Sequence, residues 1–247
     1  MKSFDIITLT VNPALDKSAH FSGLIPEQKI RCEAPLYDAG GGGINVSKAI
    51  SRLEGTSLAV IASGGPSGEM IKEILHKESI AFHAIETKNW TRESFVAVDD
   101  NTNSQYRFNF PGTSISNTEK NEIICAVEGL ESRYLVLSGS LREGLSVDFY
   151  QKMAKIGKQS NARVIVDTSG EALKKVLETG VYMIKPNVGE LAKLIGVEHL
   201  EMEEVSDAAR KIIAVGGAEI VVVSLGPQGA VLVTGDSYDF VPAPNVA

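Results

Sequence analysis

Four glycines in succession, Gly40 to Gly43, sit inside the stretch DAGGGGINVSKAI (Asp38 to Ile50). Glycine loses more backbone entropy on folding than any other residue, so such a run implies a bare backbone that something must approach closely. The run lacks a GK[ST] ending, so it is not a Walker-type phosphate loop. Nor is it a dinucleotide fingerprint, because Asn45 and Val46 fall where the third glycine of GxGxxG belongs and no clear sheet strand leads in. Val46, Ala49, Ile50 and Leu53 then follow at i, i+3, i+4, i+7, which predicts a helix with that face buried. Free N–H groups at the start of such a helix favour an anion or a polar ligand. A tight turn under a packed helix would need only one or two glycines, so the run of four favours a close-lying ligand.

Three other stretches carry possible chemistry, each beside a plainer reading. NPALD (Asn12 to Asp16) follows the first apolar run. Asp16 could accept hydrogen bonds from sugar hydroxyls or simply be a solvated turn residue. In KPNVGE (Lys185 to Glu190), Asn187 and Glu190 have the spacing of a capping box, yet the same carboxylate could hold a hydrated Mg²⁺. VVVSLGPQGAVLV (Val221 to Val233) predicts a strand, a turn with Gly226 and Gly229, and a returning strand. It is a hairpin connection, or a place where Ser224 and bare glycines meet a nucleotide. Lys29, Arg31, Arg92 and Arg107 cluster in two segments and would suit a sugar phosphate, although exposed strand arginines are common. The four histidines have no metal-ligand spacing, and no Ser/His/Asp arrangement or GxSxG elbow is present.

The elements that must position these residues follow a rhythm. From Ser57 onward, β-branched runs (LAVIAS, YLVLSG, RVIVDT) alternate with amphipathic segments (GEMIKEILHKE, VDFYQKMAKIGK, GEALKKVLE), the pattern of βαβ units on a parallel sheet. Tyr182 to Ile184 and Ile220 to Ser224 predict further strands, and Gly189 to Ile195 and Val205 to Val215 further helices. Lys17 to Tyr37 and Arg92 to Phe110 break the rhythm with alternating residues and turn signals. They predict antiparallel strands inserted as a lid, with the second hairpin turning at Asp99 to Asn103. The strand pair GAVLVTG and YDFVPAP then leads to Asn245, Val246 and Ala247 with no closing helix.

Composition excludes several classes. At 247 residues and 43% hydrophobic, the chain suits one large α/β domain. A net charge of −7 argues against a nucleic-acid surface. Cys32 and Cys125 have no CxxC spacing and are expected as free thiols. No signal peptide and no membrane-spanning run is expected, which places the protein in the cytoplasm.

Taken in order, VNPALD, GGGGINVSKAI, WTRESF, YRFNFPG, SGSL, VDTSGEAL, KPNVGE and VSLGPQGA resemble the phosphofructokinase B family of ribokinase-like sugar kinases over essentially the whole chain. Within it they are most similar to the minor type of bacterial 6-phosphofructokinase. GGGG stands where 1-phosphofructokinases and tagatose-6-phosphate kinases, the alternative readings, usually show GGKG, which makes Gly42 a specificity marker. The resemblance implies a three-layer α/β/α sandwich with a mainly parallel sheet and a small β-sheet lid through which two subunits pair. It implies transfer of a phosphoryl group from ATP, with Mg²⁺, to fructose 6-phosphate. Asp16, Gly41, Gly42 and Asn45 would meet the sugar, and Lys29, Arg31, Arg92 and Ser140 would surround it and its phosphate. Lys185, Asn187, Ser224, Gly226 and Gly229 would face ATP, and Glu190 would organise Mg²⁺ through water. The family's GAGD motif, which supplies its general-base aspartate, is expected just beyond residue 247. The polypeptide is therefore expected to have little activity alone and to leave apolar sheet surface exposed. A catalytically inactive binding module is the alternative of another class.

Overall fold

A computed structural model describes residues 4–244, so Asn245, Val246 and Ala247 lie outside the described residues. The strands in chain order are β1 (Ile6–Thr10), β2 (Ala14–Phe21), β3 (Leu36–Gly40), β4 (Ser57–Ser63), β5 (Ala81–Glu86), β6 (Arg92–Asp99), β7 (Ser104–Asn109), β8 (Tyr134–Ser138), β9 (Arg163–Asp167), β10 (Val181–Ile184), β11 (Ala218–Ser224), β12 (Gly229–Val233) and β13 (Tyr238–Pro242). The helices are α1 (Gly42–Arg52), α2 (Gly65–Lys77), α3 (Asn117–Glu128), α4 (Phe149–Gln159), α5 (Gly170–Leu177), α6 (Val188–Ile195) and α7 (Val205–Ala214).

Nine strands form one sheet in the order β13-β12-β11-β10-β9-β8-β1-β4-β5, parallel from β11 to β5 and antiparallel at the β12–β13 edge. The central strands β8, β1 and β4, covered on both faces, read as continuous apolar runs, as buried parallel strands do. Val60 and Ala62 of β4 join the larger core under α3 to α7, while Ala59 and Ile61 of the same strand join a second core with Ile44 of α1 and Ile71 and Leu75 of α2. The α1–α2 layer covers only half of its face. The directly paired Ile165, Met183 and Ile220, with Val222 and Leu232, stay half-exposed on the uncovered part, and no described helix packs there.

Four strands, in the order β3-β2-β6-β7, make the lid. The hairpin predicted over Arg92 to Phe110 is present, with Asn103 in the left-handed region at its turn. The lid is not wholly antiparallel, however, because β2 and β6 pair in parallel and so join its two halves. Its second strand begins only at Leu36 and runs straight into the glycines, so a strand does lead into α1, but it belongs to the lid. Sequence periodicity also missed β5 and α3; the apolar residues of α3 are confined to its second half, so no helical stripe marks its start.

The helix after the glycines forms with a different buried face from the one expected. Gly43, Ile44, Ser47 and Lys48 are buried, while Leu53 is 82% exposed and Ala49 is exposed. The polar Ser47 faces inward because its hydroxyl hydrogen-bonds Thr8 of β1 at 2.9 Å. An apolar count cannot register a buried polar pair of that kind.

Candidate active site

Parallel strands all end at one edge, and the loops beyond their carboxyl ends form the crevice of an α/β sheet. Here that edge carries Asn12 after β1, Ser138 at the end of β8 with Ser140 beyond it, Asp167 at the end of β9, Lys185 to Asn187 after β10 and Ser224 at the end of β11. The N-terminus of α1 opens at the same edge. Ser138 donates its hydroxyl to Asp167 at 3.3 Å, and Lys185 Nζ lies 3.2 Å from the other Asp167 oxygen. Asn12 Nδ2 donates to Ser140 Oγ at 3.0 Å, tying the first loop to the β8 loop.

The four glycines are each explained by a close approach within the chain. A Cβ on Gly40 would fall 2.0 Å from Asp16 Oδ2, on Gly42 2.1 Å from Ser138 Oγ, and on Gly43 2.5 Å from Thr10 Oγ1. Gly41 has φ +124°, a conformation L side chains rarely adopt, and its Cβ would meet Thr10 and Pro13. The bare backbone thus lets strand ends and helix start close on one another, whatever else binds there. Gly229 is similar, since its Cβ would lie 2.0 Å from Val241 O of β13. Gly226, at φ +60°, faces open space.

Under the lid, Asp16 of β2 stands directly across from Asp38 of β3 and from Ser94 of β6. Burial pushes the Asp16 carboxyl above its ordinary pKa. A hydrogen bond with Ser94 and the charges of Arg92 and Lys48 oppose that shift, while the Asp38 charge adds to it. Lys48, 6% exposed, reaches Asp38 Oδ1 and lies 3.3 Å from Glu78. Arg92 has its Nε buried with no hydrogen-bond partner among the described residues.

Lys29 and Arg31 are not brought to this cluster. They lie in the exposed segment between β2 and β3, around a cleft shared with His20, Phe21 and Asp100 at the far end of the lid. Asp16 and Phe21 are five residues apart on one strand, roughly 17 Å at strand rise. Asn187 and Glu190 form the capping box: Asn187 Oδ1 accepts from the Glu190 N–H and Glu190 Oε2 accepts from the Asn187 N–H, both at 2.9 Å. Arg107 donates to Gln105 within the lid, and Asn45 is exposed in the first turn of α1. Both cysteines are free thiols.

Sequence reasoning overlooked Asp38, Lys48, Ser94, Ser138 and Asp167. Ser138 and Asp167 end strands of the parallel sheet and could have been found by that rule. Lys48 carries no such signal, because a buried lysine on a helix looks like any surface lysine until its partners are placed.

A mainly parallel sandwich whose lid stands over the carboxyl edge of its strands is the architecture of the ribokinase-like sugar kinases. The model of the pfkB family of carbohydrate kinases matches residues 3–247, and the chain belongs to that family. It is 41% identical over 231 residues to the ATP-dependent 6-phosphofructokinase isozyme 2 of Mycobacterium tuberculosis, covering 93% of this chain and 68% of the relative. To the isozyme 2 of Escherichia coli it is 38% identical, covering 97% and 78%. The 1-phosphofructokinase of Bacillus subtilis is more distant at 34%. The crystal structure of Escherichia coli phosphofructokinase-2 with fructose 6-phosphate superposes with a TM-score of 0.94 at 37% identity, covering 99% of this chain and 81% of that one. That protein also has a tetrameric inhibited form, matched at a TM-score of 0.93.

Proposed function

We propose that this kinase phosphorylates fructose 6-phosphate at the expense of ATP, as a 6-phosphofructokinase of the cytoplasm. The observation that carries the reading is the cluster under the lid: a half-buried carboxylate, Asp16, beside Arg92, whose buried Nε lacks a partner. Asp16 accepts sugar hydroxyls, and Arg92 supplies a forked donor for the phosphate of a phosphorylated sugar. Gly41, Gly42, Asn45 and Ser140 line the sugar's other side.

Lys185, Asn187, Ser224, Gly226 and Gly229 face ATP across the carboxyl edge. Among the described residues no three His, Cys, Asp or Glu converge as a metal cage. Glu190, whose Oε2 is committed to the cap, would hold a hydrated Mg²⁺ through water, with the remaining oxygen ligands coming from substrate phosphates. When bound, the ion neutralises charge on the transferred phosphoryl group. The lid excludes water from the transfer.

Lys29 and Arg31 join the sugar site in this reading only from a second copy's lid. Pairing through the lid is supported by the exposed Leu36, Tyr37, Phe108 and Phe110 on it. Calorimetric titration with fructose 6-phosphate, fructose 1-phosphate and tagatose 6-phosphate, followed by phosphoryl-transfer assays on the same panel, tests the assignment. Fructose 6-phosphate should bind tightest and give the highest kcat/KM; a preference for either other sugar overturns it.

A further inference from the structure

Arg142 is 4% exposed, in the loop after β8 that also carries Ser140, and nothing in the reaction described above uses it. A buried guanidinium is costly unless its donors are matched. Its Nε donates to Thr113 O at 2.8 Å, its Nη1 to Ala62 O near the end of β4 at 3.2 Å, and its Nη2 to Thr113 Oγ1. Those acceptors are neutral, and Arg142 has no ion pair within 4.0 Å among the described residues; the charges acting on it are those of Glu119 and Arg92.

Thr113 lies in the return leg of the lid, between β7 and α3. Its hydroxyl in turn donates to Trp90 O at 2.9 Å, in the outgoing leg between β5 and β6. Asn89 Nδ2 donates to Ser114 O at 3.1 Å, and Lys88 N donates to Glu119 Oε1 at 2.6 Å, so the two legs are joined to each other and to α3. Beside them, a Cβ on Gly112 would fall 2.3 Å from Asn12 Oδ1, and Asn12 bonds Ser140. Ile115 N also donates to Glu143 O at 2.8 Å, next to Arg142 in the chain. Arg142 therefore joins the return leg to the end of a core strand and to its own Ser140 loop, and Thr113 extends the tie to the outgoing leg.

We propose that Arg142 is a positioning residue: it fixes the return leg of the lid to β4 and to the Ser140 loop, and so sets where the lid's Asp16–Arg92 cluster stands relative to the sugar-binding loop. Thr113 relays this tie to the outgoing leg, which runs directly into Arg92. Arg142 itself has its donors turned to the protein and need touch no substrate.

The inference rests on the sugar-kinase reading for its substrate, so the test separates the two. In the full chain, Arg142→Met and Arg142→Lys are compared with the native protein by hydrogen exchange of residues 110–116, by quenching of Trp90, the single tryptophan, and by calorimetry with fructose 6-phosphate and ATP. Arg142→Met should speed exchange in the leg, raise Trp90 quenching and weaken sugar binding about tenfold, with ATP binding held within about twofold. Arg142→Lys, which keeps the charge but not the fork, should recover only part of the sugar affinity. If Arg142→Met does not fold, Thr113→Val gives the decisive measurement and should change the same quantities by smaller amounts.

Unchanged exchange in a folded variant overturns the proposal, as does faster exchange with undiminished sugar affinity, or equal loss of sugar and ATP binding. Failure of the native protein to bind fructose 6-phosphate overturns the functional assignment instead, and the exchange data still decide the role of Arg142 in the lid.

Discussion

Asp16 shows how a single residue is tuned by the three elements around its own strand. Its own strand buries it, Ser94 and Arg92 of β6 and Lys48 of α1 favour its charge, and Asp38 of β3 opposes it. Ionised, it accepts sugar hydroxyls; protonated, it loses part of that capacity. Because its folded pKa is raised, sugar affinity should be full above that value and fall as pH drops through it, at a higher pH than for an ordinary aspartate. The same shift means that ionising Asp16 disfavours the fold as pH rises from its unfolded pKa through its folded one. Asp16→Asn should cost roughly 1.5–3 kcal/mol of sugar binding, about 10- to 150-fold, and flatten the acid limb of a calorimetric pH series. An unaltered acid limb in that variant would assign the titration to another group.

At the scale of elements, α3 is anchored by its first turn. Ser116 and Glu119 form a capping box, and Glu119 also accepts the Lys88 N–H of the outgoing lid leg. Burial alone would raise the Glu119 pKa, but bonds from Ser116 and Lys88 and the Arg142 charge hold it below the usual glutamate value. Its stabilisation is therefore present above the unfolded pKa and lost as pH falls through the lowered folded one. Glu119→Ala should destabilise the protein by about 1–3 kcal/mol, read from the urea midpoint at neutral pH, with the deficit shrinking in acid. A constant deficit down to low pH would show that the carboxylate's charge is not what matters. A capping box is spelled by SISNTEK just as by PNVGE, but the apolar residues of α3 are sparse in its first half, whereas those of α6 form a dense stripe directly after its box.

The whole molecule has one face that its own described helices leave half-open. Ile165, Met183, Ile220, Val222 and Leu232 lie there, and Val241, 59% exposed, extends the strip to the β13 edge. Contiguous apolar surface beside an unpaired edge strand favours association. Sedimentation of the 247-residue polypeptide should show concentration-dependent species larger than a dimer, and Leu232→Lys should suppress them. A single species across the concentration range, with no binding of an apolar dye, would contradict this.

The sequence by itself determined the βαβ succession, the lid insertions, the hairpin turn at Asp99 to Asn103 and the family, because each is carried by local periodicity, turn chemistry or ordered short motifs. It also placed Lys185, Asn187 and Ser224 correctly at strand or helix ends, whereas Asp16, expected in a turn after the first strand, lies inside the lid strand β2. Tertiary structure alone decided that β2 and β6 pair in parallel, that Ser47 and Lys48 rather than Ala49 and Leu53 turn inward on α1, and that Lys29 and Arg31 stand at the lid's far end. It also decided what the four glycines meet: Asp16, Thr10, Pro13 and Ser138 of this same chain. Such contacts join residues up to about a hundred positions apart, and their energy comes from burial and matched polar partners that exist only once the strands are side by side.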